Sequence, residues 1–188
     1  MKTRASAFIA TSLDGFIARP DGSIDWLDDV HALMPEGEDC GYLEFMASID
    51  GMVMGRHSFE RVLAFDEWPY GLLPVYVMSH APVSVPVDLA GSVHSWQGTP
   101  GALVERLHGE GFRHLYVDGG QTIQEFLKAG LLDQITITVV PVLLGSGRPL
   151  FGSLPHDVEL TLMQSRAYEF GFVQSTYRIE APGLERGV

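Results

Sequence analysis

The chain has 188 residues, of which 46% are hydrophobic, and its 24 acidic against 12 basic side chains give a formal net charge of −12. This length suits one globular domain with a buried core, which we place at residues 1–182, followed by a flexible tail at 183–188. The acidic balance argues against a nucleic-acid partner, because binding to phosphate backbones requires a basic surface.

Cysteine and histidine usage disfavours a metal site. Cys40 is the only cysteine, so neither an intrachain disulfide nor a thiolate metal cage can form. The seven histidines never occur at the i, i+2 or i, i+4 spacing of common metal sites. The apolar run after Arg4 is too short for a signal peptide, and no stretch is long enough to span a membrane. We therefore expect a cytoplasmic protein without metal or membrane partners.

Strands alternate with helices along most of the chain, and only strands follow. Predicted strands cover 5–10, 16–18, 51–54, 73–79, 93–95, 115–117, 134–140, 158–164 and 172–179, and predicted helices cover 42–49, 58–64, 103–109 and 120–129. This order predicts an α/β fold, with a mostly parallel sheet and an antiparallel pair of strands at its C-terminal edge.

A first glycine turn follows the strand that ends at Met54. Gly55 lets the chain turn toward a helix expected from Ser58. Such a turn directs free backbone N–H groups and the positive end of the helix dipole at one point, which favours phosphate. Arg56 adds a planar donor fork, and the Ser58 hydroxyl can cap the helix or meet a ligand. The alternative is an ordinary strand–turn–helix with a surface arginine.

A second turn, at Gly119-Gly120, repeats this strand–glycine–helix pattern after the strand 115–117. Because ligands of open α/β sheets bind at the carboxyl ends of the strands, the two turns together could hold the two ends of a dinucleotide. The segment Gly145-Ser-Gly-Arg148 is not a Rossmann fingerprint, because position 150 is not glycine and Pro149 opposes a following helix.

Five segments in order carry a resemblance to a known family. They are Ile9–Ala18, Val53–Glu60, Val75–Ser79, Val117–Ile123 and Pro141–Phe151. Over roughly residues 4–180 the chain resembles the dihydrofolate reductase superfamily. It is most similar to the C-terminal reductase domain of the bifunctional riboflavin-biosynthesis deaminase-reductase and its stand-alone bacterial relatives. The resemblance implies a mixed, mostly parallel central sheet with helices on both faces and a C-terminal antiparallel strand pair.

The resemblance also implies NADPH as the cofactor and assigns thirteen residues to it. They are Ala10, Thr11 and Ile17 near the nicotinamide, Gly55, Arg56, His57 and Ser58 at the adenosine-side phosphates, Ser79 and His80 at the 2′-phosphate, and Gly119, Gly120, Gln121 and Thr122 at the pyrophosphate. Arg56, Ser79 and His80 offer donors and no repelling acid, which favours NADPH over NADH.

For the substrate, the resemblance implies Asp39 as the catalytic carboxylate at the start of a helix, although acids favour first helical turns for capping reasons alone. Phe16, Trp26 and Tyr42 could wall a ring pocket, or they could be core residues. Arg148 is the candidate anion contact.

The resemblance implies an NADPH-dependent reductase that transfers a hydride to a pyrimidine or pterin, similar to 5-amino-6-(5-phosphoribosylamino)uracil reductase of riboflavin biosynthesis. One alternative is a dihydrofolate or dihydropterin reductase, and another is a catalytically silent NADPH-binding protein. Family members often pair, so a homodimer is expected.

Overall fold

The computed structural model describes residues 2–31 and 34–180, so the predicted tail at 183–188 lies outside the described residues. The strands within these ranges are β1 (Arg4–Ser12), β2 (Phe16–Ala18), β3 (Gly51–Gly55), β4 (Val75–Met78), β5 (Val93–Trp96), β6 (His114–Asp118), β7 (Gln134–Val140), β8 (Arg148–Pro149), β9 (Leu160–Ala167) and β10 (Val173–Ile179). The helices are α1 (Asp25–His31), α2 (Tyr42–Ala47), α3 (Arg56–Val62), α4 (Pro100–Gly109) and α5 (Gly120–Lys128). None of these helices is long and apolar enough to cross a membrane.

Eight strands form one sheet in the order β5-β4-β3-β6-β1-β7-β10-β9. The six strands from β5 to β7 pair in parallel, and β10 runs antiparallel to both β7 and β9. β2 and β8 form a separate two-stranded antiparallel sheet. The predicted architecture, a mostly parallel sheet that ends in a C-terminal antiparallel pair, is confirmed.

Helices cover both faces of the sheet because neighbouring residues of a strand point in opposite directions. Val53 and Val117 pack with the core residues of α4 and α5 on one face. Met52 and Tyr116 pack on the other face with Phe59 of α3 and with α2. Strands that are buried on both faces explain the nearly continuous apolar runs seen in the sequence.

Three helix starts differ from the sequence-based expectations. α3 begins at Arg56 rather than Ser58, because Gly55 is its N-cap in an extended conformation and no side chain caps it. α4 begins at Pro100, earlier than expected, because the Thr99 side chain accepts a hydrogen bond from the Ala102 N–H at 3.2 Å. α1 was not predicted, since only Trp26 and Val30 are buried among its residues 25–30.

The parallel pairing places four strand ends along one edge of the sheet. β1, β3, β4 and β6 are mutual neighbours in the sheet, so their carboxyl ends lie side by side. The turns that follow β3 and β6, and the residues after β4, are thereby brought together.

The opposite edge of the sheet holds a buried polar cluster around His114. Nε2 of His114 lies 2.8 Å from Ser6 Oγ, and Nδ1 lies 2.8 Å from Arg4 Nη2. Nδ1 also lies 3.1 Å from the Ser48 carbonyl oxygen, so a donor and an acceptor both face this nitrogen. Burial, with a further contribution from the Arg4 charge, lowers the pKa of His114.

This lowered pKa predicts a loss of stability in mild acid. The unfolded chain takes up the proton near pH ~6.5, before the folded chain does. The stability that the neutral ring provides is therefore present above that pH and is lost as the pH falls toward the folded pKa, by up to ~1.4 kcal/mol per pH unit. Thermal unfolding from pH 7.5 to pH 5 should show a shallower decline in His114→Gln than in the wild type. The exposed His156→Gln is the control, and equal slopes in all three proteins would contradict the prediction.

Candidate active site

One large cavity, of about 1170 Å³, opens at the carboxyl edge of the sheet; we call it the main cleft. Both glycine turns line it, together with the residues that follow β4 and the end of β1. Of the thirteen residues predicted at the cofactor, twelve line the main cleft: Ala10, Ile17, Gly55, Arg56, His57, Ser58, Ser79, His80, Gly119, Gly120, Gln121 and Thr122. Thr11 does not line the cleft and is buried in β1.

The two turns are packed against each other so closely that only glycine fits. Gly119 has a φ of 88°, and a Cβ atom there would overlap Ser58 Oγ. A Cβ atom at Gly55 would lie 2.9 Å from Thr122 Oγ1, and one at Gly120 would lie 2.6 Å from Ile17 Cδ1. Ser58 is therefore not the predicted helix cap; its hydroxyl faces the second turn.

The start of α5 is suited to an anion. No side chain caps this helix, so the N–H groups of its first turn are left for water or a ligand. The positive end of the helix dipole points toward the same place and favours a phosphate group there.

In the glycine turn after β3, Arg56 and His57 both lie close to one acid, Glu60. Arg56 Nε lies 2.6 Å from Glu60 Oε1, and His57 Nδ1 lies 3.6 Å from Glu60 Oε2. Glu60 also lines the main cleft, which corrects the expectation that this side carries no acid. Arg56 and Glu60 are both about half exposed, and such ion pairs contribute little to stability, so a phosphate can replace Glu60 as the partner of Arg56.

A flap formed by β2 and β8 covers the end of the cleft next to β1. Asp14 fastens it: the carboxylate accepts hydrogen bonds from Ser12 Oγ at 2.6 Å and from the N–H groups of Leu144 and Gly145 at 3.1 and 2.7 Å. The bond from Ser12, and then those from the two N–H groups, lower the pKa of Asp14. Arg148 lines the main cleft from this flap, with its guanidinium against Gly22.

A second cavity, of about 580 Å³, adjoins the main cleft; we call it the side pocket. Phe8, Ile9, Ala10 and Leu27 line both cavities. The remaining side-pocket lining is apolar or acidic apart from the hydroxyl groups of two residues, Tyr42 and Thr138: Met34, Pro35, Glu36, Glu38, Asp39, Cys40, Tyr42, Thr138, Val140 and Phe172. Tyr42 is thus placed where the sequence predicted a ring wall.

Asp39 lines the side pocket but also caps the turn into α2. Its Oδ1 accepts a hydrogen bond from Gly41 N–H and its Oδ2 one from Leu43 N–H, both at 2.8 Å. The bond from Leu43 and then that from Gly41 lower the pKa of Asp39, so this carboxylate holds a proton poorly. The catalytic role predicted for Asp39 stays a prediction.

Phe16 and Trp26 line neither cavity. Phe16 belongs to the flap, where its side chain lies against Gly147. Trp26 is 2% exposed and packs in the core with Val30, Tyr168 and Phe172.

Asp118 is a site residue that the sequence analysis did not identify. It ends β6 and lines the floor of the main cleft, where Tyr116 Oη donates a hydrogen bond to it at 3.3 Å. Burial raises the pKa of Asp118, and hydrogen bonds from Gly119 N–H and Ser58 only partly oppose this effect. Burial likewise raises the pKa of the neighbouring Tyr42 to about 12. The sequence did contain a signal for this residue, because Asp118 is an acid at the end of a buried strand, directly before two glycines.

A family model, a curated relative and a solved structure all match most of the chain. The family model described as RibD C-terminal domain matches residues 6–173. The Bacillus subtilis protein YwjB is 35% identical over 171 residues, which cover 89% of this chain and 94% of YwjB. A crystal structure of a putative riboflavin biosynthesis protein from Shewanella sp. PV-4 is 40% identical, with a TM-score of 0.88 over 95% of this chain and 99% of that chain.

A more distant structure shows the same fold. It is the diaminohydroxyphosphoribosylaminopyrimidine deaminase/5-amino-6-(5-phosphoribosylamino)uracil reductase of Thermotoga maritima, which is 13% identical with a TM-score of 0.66. The match covers 94% of this chain and 56% of that longer protein. The resemblance inferred from the five sequence segments is confirmed, and the chain belongs to the RibD C-terminal domain family.

Proposed function

We propose that this protein is an NADPH-dependent reductase of a pyrimidine- or pterin-type heterocycle. The observation that carries the proposal is the single main cleft onto which both glycine turns open, next to a side pocket with aromatic walls. Residues of both glycine turns line the cleft, and the side pocket adjoins its β1 end, where the resemblance to the family implies the nicotinamide. The names of the Shewanella and Thermotoga proteins support a reductase of riboflavin biosynthesis.

The residues of the main cleft fit a dinucleotide phosphate. The uncapped start of α5, which lines this cleft, offers N–H donors. Arg56, Ser79 and His80 line the same cleft and would hold the 2′-phosphate. When bound, NADPH would supply the hydride, and the protein would supply orientation and a proton.

Asp118 is the proposed proton donor. Its raised pKa favours the protonated carboxyl, which can deliver a proton to a ring nitrogen beside the carbon that is reduced. Tyr116 orients it, because the Tyr116 hydroxyl bridges the Phe8 carbonyl at 2.9 Å and the Asp118 carboxyl at 3.3 Å. Asp39, with its lowered pKa, is better suited to accept hydrogen bonds from the N–H edge of a ring.

Two other functions remain as alternatives. The carboxylate of Asp39 in a pocket with aromatic walls is also compatible with a dihydropterin or dihydrofolate reductase. A catalytically silent NADPH-binding protein would share the main cleft but would show no turnover with any heterocycle.

We also propose that two copies of the chain pair through the outer edge of the sheet. β9 is the edge strand, and Leu162 and Met163 on it are 54% and 57% exposed. Leu160 and Val173 extend this apolar surface, which is a common feature of association sites.

The first prediction concerns cofactor choice. Wild-type protein should bind NADPH at least about tenfold more tightly than NADH, and Arg56→Ala should weaken NADPH binding by ~1–2 kcal/mol through loss of a charged hydrogen bond. NADH binding should change little. Calorimetry with both cofactors measures this. Arg106→Ala is the matched control, because Arg106 forms the same kind of i, i+4 pair with Glu110 on α4, outside the cleft. Equal affinity for the two cofactors in the wild type would refute the NADPH assignment.

The second prediction concerns the proton donor. Asp118→Asn should lower kcat for NADPH oxidation by ~10²–10⁴-fold while the dissociation constant of NADPH stays the same. Turnover is measured with a panel of dihydropterins, dihydrofolate and ribosylaminouracil derivatives. Asp39→Asn is the comparison: if it abolishes turnover and Asp118→Asn does not, the role predicted from the sequence holds and the assignment to Asp118 fails.

The third prediction tests the raised pKa of Asp118 apart from activity. An aspartate whose folded pKa is raised loses stability as the pH rises from its unfolded value, about 3.9, through its folded value. Asp118→Asn removes this loss, because asparagine does not ionise. The melting temperature of the variant relative to the wild type should therefore increase from pH 4 to pH 8. A constant difference would contradict the raised pKa.

A further inference from the structure

We propose that the side pocket takes an unphosphorylated planar ring, either uncharged or cationic, and discriminates against substrates with a phosphate or carboxylate tail. This inference rests on the proposed function, because it takes the side pocket to be the substrate site. It separates this chain from an enzyme for phosphoribosylaminouracil and from one for dihydrofolate.

The first argument is the charge of the lining. Glu36, Glu38 and Asp39 line the side pocket, and no Lys or Arg among residues 2–30 and 34–180 does so. Glu38 Oε1 accepts a hydrogen bond from Cys40 N–H at 2.8 Å, which fixes this carboxylate beside the pocket. A phosphate dianion in the pocket would be repelled by Glu36 and Asp39, and less by Glu38, because Arg166 pairs with Glu38.

Nearby arginines do not reverse this charge because they are already engaged. Arg166 Nη2 lies 3.7 Å from Glu38 Oε2, and its guanidinium stands 4.2 Å above the centre of the Tyr168 ring. Arg19 Nε is bound to Asp25 Oδ1 at 2.7 Å.

Basic side chains line the main cleft instead, together with the acids Glu60, Asp118 and Glu125. Arg56, Arg61, Lys128 and Arg148 line that cleft and not the side pocket. Arg148, the anion contact predicted from the sequence, is thus on the cofactor side. This segregation matches a polyanionic cofactor in one cavity and a ligand without negative charge in the other.

The second argument is a buried hydroxyl that faces the pocket. Thr138 is 5% exposed and lines the side pocket, and its Oγ1 accepts a hydrogen bond from Gln174 Nε2 at 2.9 Å. Gln174 is held in place because Nε2 also donates to the Cys40 carbonyl at 2.9 Å. With Oγ1 accepting from Gln174, and no other bond to it in the described part of the chain, the Thr138 proton is left for a ligand acceptor.

The walls define the rest of the ligand. Phe8 and Tyr42 meet edge to face, with ring centroids 5.6 Å apart, and Val140 and Phe172 add apolar surface. A volume of about 580 Å³ is in the usual range for small-molecule sites. A ring with a carbonyl or ring nitrogen toward Thr138 and N–H groups toward the carboxylates satisfies all of these groups. Pyrimidines and pterins without anionic tails have this pattern.

The test compares two ligands that differ only in the phosphate: 5-amino-6-(ribosylamino)uracil and its 5′-phosphate. Calorimetry at low ionic strength, with and without NADP⁺, should give the ribosyl compound at least about tenfold tighter binding, as expected from like-charge repulsion. A second pair, a free dihydropterin and dihydrofolate, should show the same preference. Equal or tighter binding of the phosphate, or no binding of any of the four compounds, would overturn the inference.

Two charge-reversal variants make the test specific. Glu36→Lys should shift the affinity ratio toward the phosphorylated compound by about tenfold. Glu44→Lys, on α2, makes the same change in net charge but lines neither cavity, and it should leave the ratio unchanged. An equal shift in both variants would mean a long-range effect and would overturn the inference.

The same experiment separates this inference from the proposed function. If NADPH binds and is oxidised but the phosphate is preferred, the reductase proposal stands and the inference falls. If NADPH does not bind, the reductase proposal falls.

Thr138→Val adds a further readout: it should weaken the binding of both ribosyl ligands about tenfold through loss of one buried hydrogen bond, without changing NADPH affinity. Unchanged ligand affinity in Thr138→Val would remove the second argument and with it the proposed ring orientation.

Discussion

The close packing of two strand-to-helix turns is the constraint on which the rest of the site depends. β3 and β6 are parallel neighbours, so the helices that follow them start side by side, about one strand spacing apart. Ser58 of the first turn fills the space where Gly119 of the second would carry a Cβ atom. The glycine backbone keeps the cleft open above this contact and sets Asp118, one residue earlier, at its floor.

Charge is distributed in this molecule against its overall sign. The formal net charge is −12, yet four basic side chains line the main cleft: Arg56, Arg61, Lys128 and Arg148. These basic side chains are distant from one another in the sequence, and they line one cavity because the strands that precede them end side by side at one edge of the sheet. The acids of the segment before α2 line the adjoining pocket instead. Two cavities that share a wall thus differ in the charge of the side chains that line them.

Local signals in the sequence predicted most of the fold. β7 was predicted at its observed bounds, because its alternating pattern is bounded by turns, and α5 was predicted within one residue because glycines bound it. Helix α1 was not predicted, because its buried positions Trp26 and Val30 give too little hydrophobic periodicity to indicate a helix. The glycine turns of the site were recognised because the pattern of a strand, a glycine and a helix is contained within a short stretch of sequence.

Non-local features of the site could not be predicted. The pKa values of Asp39 and Asp118 are shifted in opposite directions by hydrogen bonding and by burial, neither of which a single sequence displays. The bond between Gln174 and Thr138 likewise depends on the pairing of β10 with β7, and this pairing joins segments that are far apart in the chain.

β1 has a further consequence as the partition between the two cavities. Phe8, Ile9 and Ala10 present surface to both, so one stretch of backbone contacts the main cleft and the side pocket alike. Ligands on either side of such a partition are thermodynamically linked, because a shift of the strand that suits one occupant changes the room left for the other. A substitution at any of these three positions changes the walls of both cavities at once, so its effects on the two cavities cannot be separated.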